Sequence, residues 1–217
     1  MHKLRLYLLS APVAIVLSVF SCPTCKEPGC PAGGLLYSIP VALSPQRDSF
    51  RIGDTMLISM NFPKKMVDER SGIENTFEDF DFNLILAAIR YDVKEKMTTE
   101  ILDLVSINGG HIVNNFSSFS DIGIAHVFDG EQYTYVGNIV LKKKGTFALY
   151  IGSIYNEDNK PKVEGTCTNG IIEFQCSTNA GDPDINNLNL IKPYLGGNPD
   201  NWGPDFKKSG GFAFVVR

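Results

Sequence analysis

Cys25, Cys30, Cys167 and Cys176 are the residues of this chain whose chemistry is easiest to state. In an oxidising compartment four thiols close two disulfides, and four cysteines allow three pairings. Proximity along the chain favours Cys25 with Cys30 and Cys167 with Cys176. If Asn169-Gly170 forms a two-residue hairpin turn, however, residue 167 faces residue 172. At about 3.3 Å per residue, Cys176 then lies too far along its strand to bond Cys167. Either that turn is not a tight hairpin or the bridges are long-range. Zinc ligation is the other use of four thiols, but separations of five and nine residues do not resemble paired zinc knuckles.

His111 and His126 have Asp121 and Asp129 near them in sequence, a set able to hold a metal or to pair a base with an orienting acid. His111 begins one strand pattern and His126 sits inside another among apolar neighbours, which favours structural places for both. The chain contains no Gly-x-Ser-x-Gly elbow, HExxH or phosphate loop. The expectation is therefore a non-enzymatic protein with no catalytic residue, metal or cofactor. Asp182-Pro183-Asp184-Ile185-Asn186 starts as a calcium loop would, with oxygen ligands at alternating positions. Asn187 and Pro193 stand where such a loop needs glycine and an acid, so the run reads as a turn rich in Asx residues. Tyr194, Trp202 and Phe206 flank or lie in the Gly, Pro and Asn-rich stretch from Gly196 to Gly211. Such rings form either a platform for sugars or a protein hot spot, or they cover one end of the domain.

The N-terminus fixes the expected destination. His2, Lys3 and Arg5 lead into an apolar run from Leu6 to Phe20 that stops at Ser21-Cys22. A transmembrane helix needs about 20 apolar residues; this run has 15 and contains Pro12. Charge, apolar run, small residue and cysteine are the order of a secretion signal whose cysteine becomes lipidated. Val19-Phe20-Ser21-Cys22 resembles the lipobox of bacterial lipoproteins in a loose form. That resemblance implies that residues 1–21 are removed and that Cys22 carries the lipid, several acyl chains making attachment durable. No Asp follows Cys22, so the outer membrane is expected, on its periplasmic face or at the cell surface. Residues 22–34, rich in Pro and Gly, read as a tether, and 35–217 as one domain. Loss of Lys3 and Arg5 leaves 18 basic against 24 acidic residues, a formal charge of −6. Nucleic acid is an unsuitable partner for such a surface.

The elements that would position these groups are strands. Met56, Ile58, Met60 and Phe62 alternate with polar residues through Thr55 to Phe62. Phe82 to Val93, entered through Asp-Phe repeats, reads as a more buried strand. Tyr133 to Leu141 and Thr146 to Tyr155 read as a strand pair joined by the polar Lys142 to Gly145. Leu35 to Leu43, His111 to Phe116, Gly123 to Phe128, Gly170 to Ser177 and Gly211 to Val216 are further strands. Only Thr98 to Val105 looks helical, for two turns. The pattern predicts an all-β fold, an antiparallel β-sandwich with at most one short helix, for which an immunoglobulin-like arrangement is one form.

Phe50-Arg51-Ile52-Gly53-Asp54-Thr55 with its alternating strand, Ser71-Gly72, Lys144-Gly145-Thr146-Phe147 and the Phe-rich C-terminal strand together resemble a group of uncharacterised Bacteroidota lipoproteins. The resemblance implies a fold and a compartment and no activity. Asp54-Thr55-Met56 also resembles the three-residue O-glycosylation sequon of Bacteroidota proteins, which would make Thr55 a glycan attachment point. The expected function is a lipid-anchored module that binds a protein or glycan through loops at one end of the sandwich. A structural or assembly role in the envelope is the alternative.

Overall fold

The computed structural model of the protein describes residues 34–93, 98–115, 120–153, 172–178, 187–196, 206 and 210–217. Strands β1 (Leu35–Ser44), β2 (Ser49–Phe50), β3 (Thr55–Pro63), β4 (Lys65–Val67), β5 (Glu74–Thr76) and β6 (Leu84–Arg90) precede one helical turn, α1 (Thr98–Ile101). They are followed by β7 (Leu102–Asn108), β8 (Gly110–Asn115), β9 (Ser120–Ala125), β10 (Val127–Phe128), β11 (Gln132–Leu141), β12 (Gly145–Ser153), β13 (Ile172–Thr178) and β14 (Phe212–Val216). Two 3-10 turns, Leu188–Leu190 and Lys192–Tyr194, lie between β13 and β14.

Two six-stranded sheets face each other. One runs β10-β11-β3-β1-β13, with β7 also paired to β11; the other runs β2-β14-β12-β6-β9-β8. The expected β-sandwich is the observed architecture, but both sheets are mixed. β1 pairs in parallel with β13, Leu35 opposite Ile172, and β14 pairs in parallel with β2. The core is built by alternation. Leu35, Tyr37, Ile39, Val41 and Leu43 of β1 and Met56, Ile58, Met60 and Phe62 of β3 all point inward and are buried. Facing them are Leu84, Leu86, Phe147, Leu149, Ile151, Phe212 and Phe214 of the second sheet. Each such side chain contributes about 1.5–3 kcal/mol by leaving water.

Other expectations change as well. Tyr133 to Leu141 and Thr146 to Tyr155 are strands, but not a hydrogen-bonded pair, since β11 lies in one sheet and β12 in the other. Their apolar faces meet the same core from opposite sides, so the polar link at 142–144 crosses between sheets instead of closing a hairpin. Thr98 to Val105 is not two helical turns: the helix ends at Ile101 and β7 begins. Leu102 and Leu104 alternate inward and pair with Leu141 and Ile139. Sheet burial outweighs the local helical preference, because one isolated turn has little stability of its own.

The outer face of the second sheet carries a smaller core. Ala148 and Ala213 are small enough for Ile191 and Phe206 to pack closely on them, with Tyr91, Tyr150, Leu188, Leu190 and Leu195 around. Asn187 fastens this cover by donating its side-chain amide to the Ala213 carbonyl at 3.0 Å.

Candidate functional site: an acid-rimmed aromatic groove

A groove of about 440 Å³ is lined by the 79–83 loop, Leu84, Ile112, residues 123–126, Phe128 and Tyr133. Its position is set by the link between β5 and β6. Phe77 donates its N–H to the Lys64 carbonyl at 2.8 Å as the chain leaves the β4–β5 hairpin. The buried Tyr133 hydroxyl then donates to the Phe77 carbonyl at 3.0 Å and accepts the Phe80 N–H at 2.7 Å. Asp79 (φ 48°) and Asn83 (φ 46°) hold left-handed backbone at either end of the lining segment. Aspartate and asparagine tolerate that region better than other residues with a Cβ. Between them, Asp81 Oδ1 accepts the Asn83 N–H at 2.8 Å. The chain therefore turns twice within five residues. Phe82 and Phe80 enter the core or its margin, and Asp79 and Asp81 are left exposed along the groove.

The floor is aromatic. Phe82 meets Tyr133 edge-on at 4.8 Å, Phe62 at 5.0 Å and Phe174 at 4.8 Å between ring centroids. Phe128 stacks on Tyr133 at 4.5 Å, and the half-buried Phe80 packs edge-on against Phe82 at 5.1 Å. Edge-to-face and offset pairs are the arrangements that aromatic rings prefer, and the rings of the floor adopt them. Phe80 and Phe128 are its partly accessible members.

His126 forms part of the wall, between β9 and β10. It packs against Phe62 and Phe82, and its Nε2 lies 3.3 Å from the Met60 sulfur. Burial pulls its pKa down to about 4, with Asp81 opposing the shift. The imidazole is neutral at pH 7. Burial raises the Tyr133 hydroxyl's pKa; the Phe80 N–H opposes this, and Asp79 and Glu78 add to it. Lys64 sits beside the rim with its ammonium 2.8 Å from the Gly130 carbonyl, 3.0 Å from Glu131 and 3.7 Å from Glu78. Asp129 is engaged in its own turn, accepting the Glu131 and Gln132 N–H groups.

The residues singled out from sequence fall in several places. Cys22, Cys25, Cys30, Cys167, Trp202 and the 182–186 run lie outside the described residues. Cys176 is a free thiol, fully buried on the inner side of β13, with burial pushing its pKa up to about 12. It packs there as a small apolar side chain. Phe206 is buried, edge-on to Tyr150 at 5.5 Å, and Tyr194 is 42% exposed. Thr55 is exposed at the start of β3. His111 bonds Ser106 through Nδ1 at 2.8 Å. His111, His126, Asp121 and Asp129 do not converge, and among the described residues no group of three such side chains could hold a metal. Sequence reading missed Asp79, Phe80, Asp81 and Asn83 as a site, treating the Asp-Phe repeats only as the approach to a strand. The available signal was two aspartates and an asparagine alternating with two phenylalanines.

No protein-family model and no curated protein matches the chain. Among solved structures it is similar to the type II cohesin dyad from the adaptor ScaA scaffoldin of Acetivibrio cellulolyticus. There the identity is 9% over 64% of this chain and 46% of that one, with a TM-score of 0.30. It is similar to a type II cohesin domain from the cellulosome of Acetivibrio cellulolyticus at 13% identity, covering 64% and 91%, TM-score 0.29. A non-cellulosomal cohesin from the hyperthermophilic archaeon Archaeoglobus fulgidus gives 10% identity, 70% and 95% coverage and a TM-score of 0.22. The chain spans about half the length of the first of these. At such TM-scores the likeness carries no functional argument.

Proposed function

We propose that this protein is a non-enzymatic binding module, anchored through lipid on Cys22 to the outer membrane, that takes a protein or glycan ligand in the groove beside the 79–83 loop. The observation that supports the site is the groove itself: a closely packed aromatic floor, two carboxylates on its lip and left-handed backbone at two non-glycine positions. Strained backbone persists where surrounding contacts over-determine it, and such places are enriched at ligand sites. The basic, apolar, Ser21-Cys22 order of the N-terminus supports the anchor.

A photo-reactive amino acid introduced at position 112, on the exposed wall of the groove, tests the module in intact cells. Adducts to a protein or a glycan are expected, and their absence at every growth condition would count against a binding role. For the anchor, Cys22→Ala should move the protein from the membrane to the soluble fraction; unchanged membrane association would reject lipidation at Cys22. Protease treatment of intact and lysed cells then places the domain outside or inside the outer membrane.

An assembly role in the envelope is the second reading. It is favoured by apolar residues on the outer face of the first sheet: Leu57 and Val105 flank Asn138 in register and are 37% and 52% exposed. Contacts through that face would make the domain a subunit of a larger complex.

A further inference from the structure

We infer that His126 and Met60 form a two-donor site for a soft monovalent metal ion, copper(I) by its ligand chemistry, in the wall of the groove. This goes beyond the reading of the groove as a macromolecular site and does not depend on it.

Donor chemistry is the first argument. The His126 Nε2 faces the Met60 sulfur at 3.3 Å. A thioether is a weak hydrogen-bond acceptor, so an N–H···S bond makes poor use of an imidazole. The same two atoms are metal ligands, and thioether sulfur selects copper(I) where carboxylates and carbonyls select calcium, magnesium or manganese. Both donors are uncharged. Burial keeps the imidazole neutral at pH 7, so it binds a metal without first losing a proton. Neutral donors at a half-buried position favour a single positive charge over a double one, because the cost of taking an ion out of water rises steeply with its charge. Among the described residues no three His, Cys, Asp or Glu side chains converge, so the ligand set of a closed zinc or calcium centre is not assembled there.

Geometry is the second. Metal–nitrogen and metal–sulfur bonds of about 2.0 and 2.3 Å enclose about 100° when their donors stand 3.3 Å apart. That is near the tetrahedral angle, so one ion bonds both atoms where they stand and keeps further positions for water or a ligand atom. The donors are also held in place. Met60 is buried in β3, opposite Val41 of β1 and Tyr135 of β11. The His126 ring packs edge-on against Phe62, Phe82 and Tyr135 at 5.3, 6.0 and 6.3 Å between centroids. His126 lines the groove as well, which gives the ion a way in from solvent.

The test uses the full-length protein purified in detergent and labelled with methyl-13C methionine and 15N histidine. Silver nitrate is the first probe, since silver(I) shares the charge and ligand preference of copper(I) and keeps its oxidation state; copper(I) held reduced by ascorbate is the second. Both are read by NMR at the site itself, so metal taken by cysteine thiols does not register. Silver(I) and copper(I) should each shift the Met60 ε-methyl signal and the His126 Nε2 signal together, and zinc(II) should leave both in place. Met60→Leu keeps the volume and a melting temperature near the parent's. It should weaken silver(I) binding, followed at His126, at least about tenfold, the smaller end of what losing even a supporting contact costs a metal site. No shift with excess silver(I), a shift of one signal without the other, silver(I) shifts that copper(I) does not reproduce, an equal response to zinc(II), or undiminished binding in Met60→Leu would each overturn the inference and leave the pair a hydrogen bond only. Crosslinking from position 112 reports separately on the groove: absent adducts count against the binding module and do not move these signals.

Discussion

Tyr133 links core and groove through one hydroxyl, accepting from Phe80 and donating to Phe77. Tyr133→Phe keeps the ring stacking with Phe128 and Phe62 but leaves a carbonyl and an N–H without that partner. A loss of about 1–3 kcal/mol is expected in urea denaturation, with faster hydrogen exchange at the Phe80 amide. An unchanged Phe80 exchange rate would mean that the loop is held by its rings alone. His126 sets a pH dependence. Its folded pKa, about 4, lies below the ordinary 6.5, so the folded state resists protonation that the unfolded chain accepts. Its contribution is complete above pH 6.5 and is lost as pH falls toward 4, by about 3 kcal/mol at the lower end. His126→Leu should flatten the stability profile between pH 4 and 6.5, and a profile as steep as the parent's would remove His126 as the cause. Asp68 acts in a lower window. Burial would raise its pKa, yet hydrogen bonds from the Ser71 hydroxyl and from backbone amides, Leu36 among them, outweigh that and lower it. Its contribution is full above the usual aspartate value and fades below it, so the two residues separate along a pH titration.

At the scale of elements, the β7–β8 connection decides how the two sheets join along one side, because β7 belongs to one sheet and β8 to the other. Gly109 makes that turn at φ +89°, where an added Cβ would come 2.5 Å from the Ala125 carbonyl oxygen and 2.8 Å from the Tyr135 ring. Neither can retreat easily, one being backbone in β9 and the other a core side chain. Gly109→Ala is expected to cost at least about 2 kcal/mol from the left-handed backbone and the close contact together. Equilibrium unfolding measures it, and a loss below 0.5 kcal/mol, roughly the size of a neutral surface change, would show that the turn relaxes. The β4–β5 hairpin is tied to β1 in a comparable way. Asp68 accepts the Leu36 N–H at 2.5 Å, and Asn75 donates to the Tyr37 hydroxyl at 2.6 Å. These bonds hold the hairpin from which the groove loop departs.

Over the whole molecule, Cys176 reports on global opening. Its thiol faces the core from β13, and no local fraying of an exposed loop uncovers a residue so placed. Iodoacetamide should leave Cys176 unmodified in the native protein and alkylate it fully in denaturant, as peptide mass spectrometry would show. Rapid native labelling would mean that β13 detaches from β1 without global unfolding. The same measurement counts the remaining thiols and so fixes which cysteines are bridged.

Strand positions and facing were legible in the sequence because alternation is a local property. Side chains point to opposite faces every second residue, so Met56, Ile58, Met60 and Phe62 declare their common side without knowledge of any partner. The same holds for Tyr133, Tyr135, Ile139 and Leu141. Pairing was not legible, because neighbours in a sheet are chosen by burial between segments far apart in sequence. β11 and β12 are joined by a short link yet lie in opposite sheets, and β1 pairs with β13, more than a hundred residues away. The groove belongs to this second class. Asp79, Ile112, His126 and Tyr133 meet only after β5, β8, β9 and β11 have been placed by the core, and no spacing along the chain encodes that meeting.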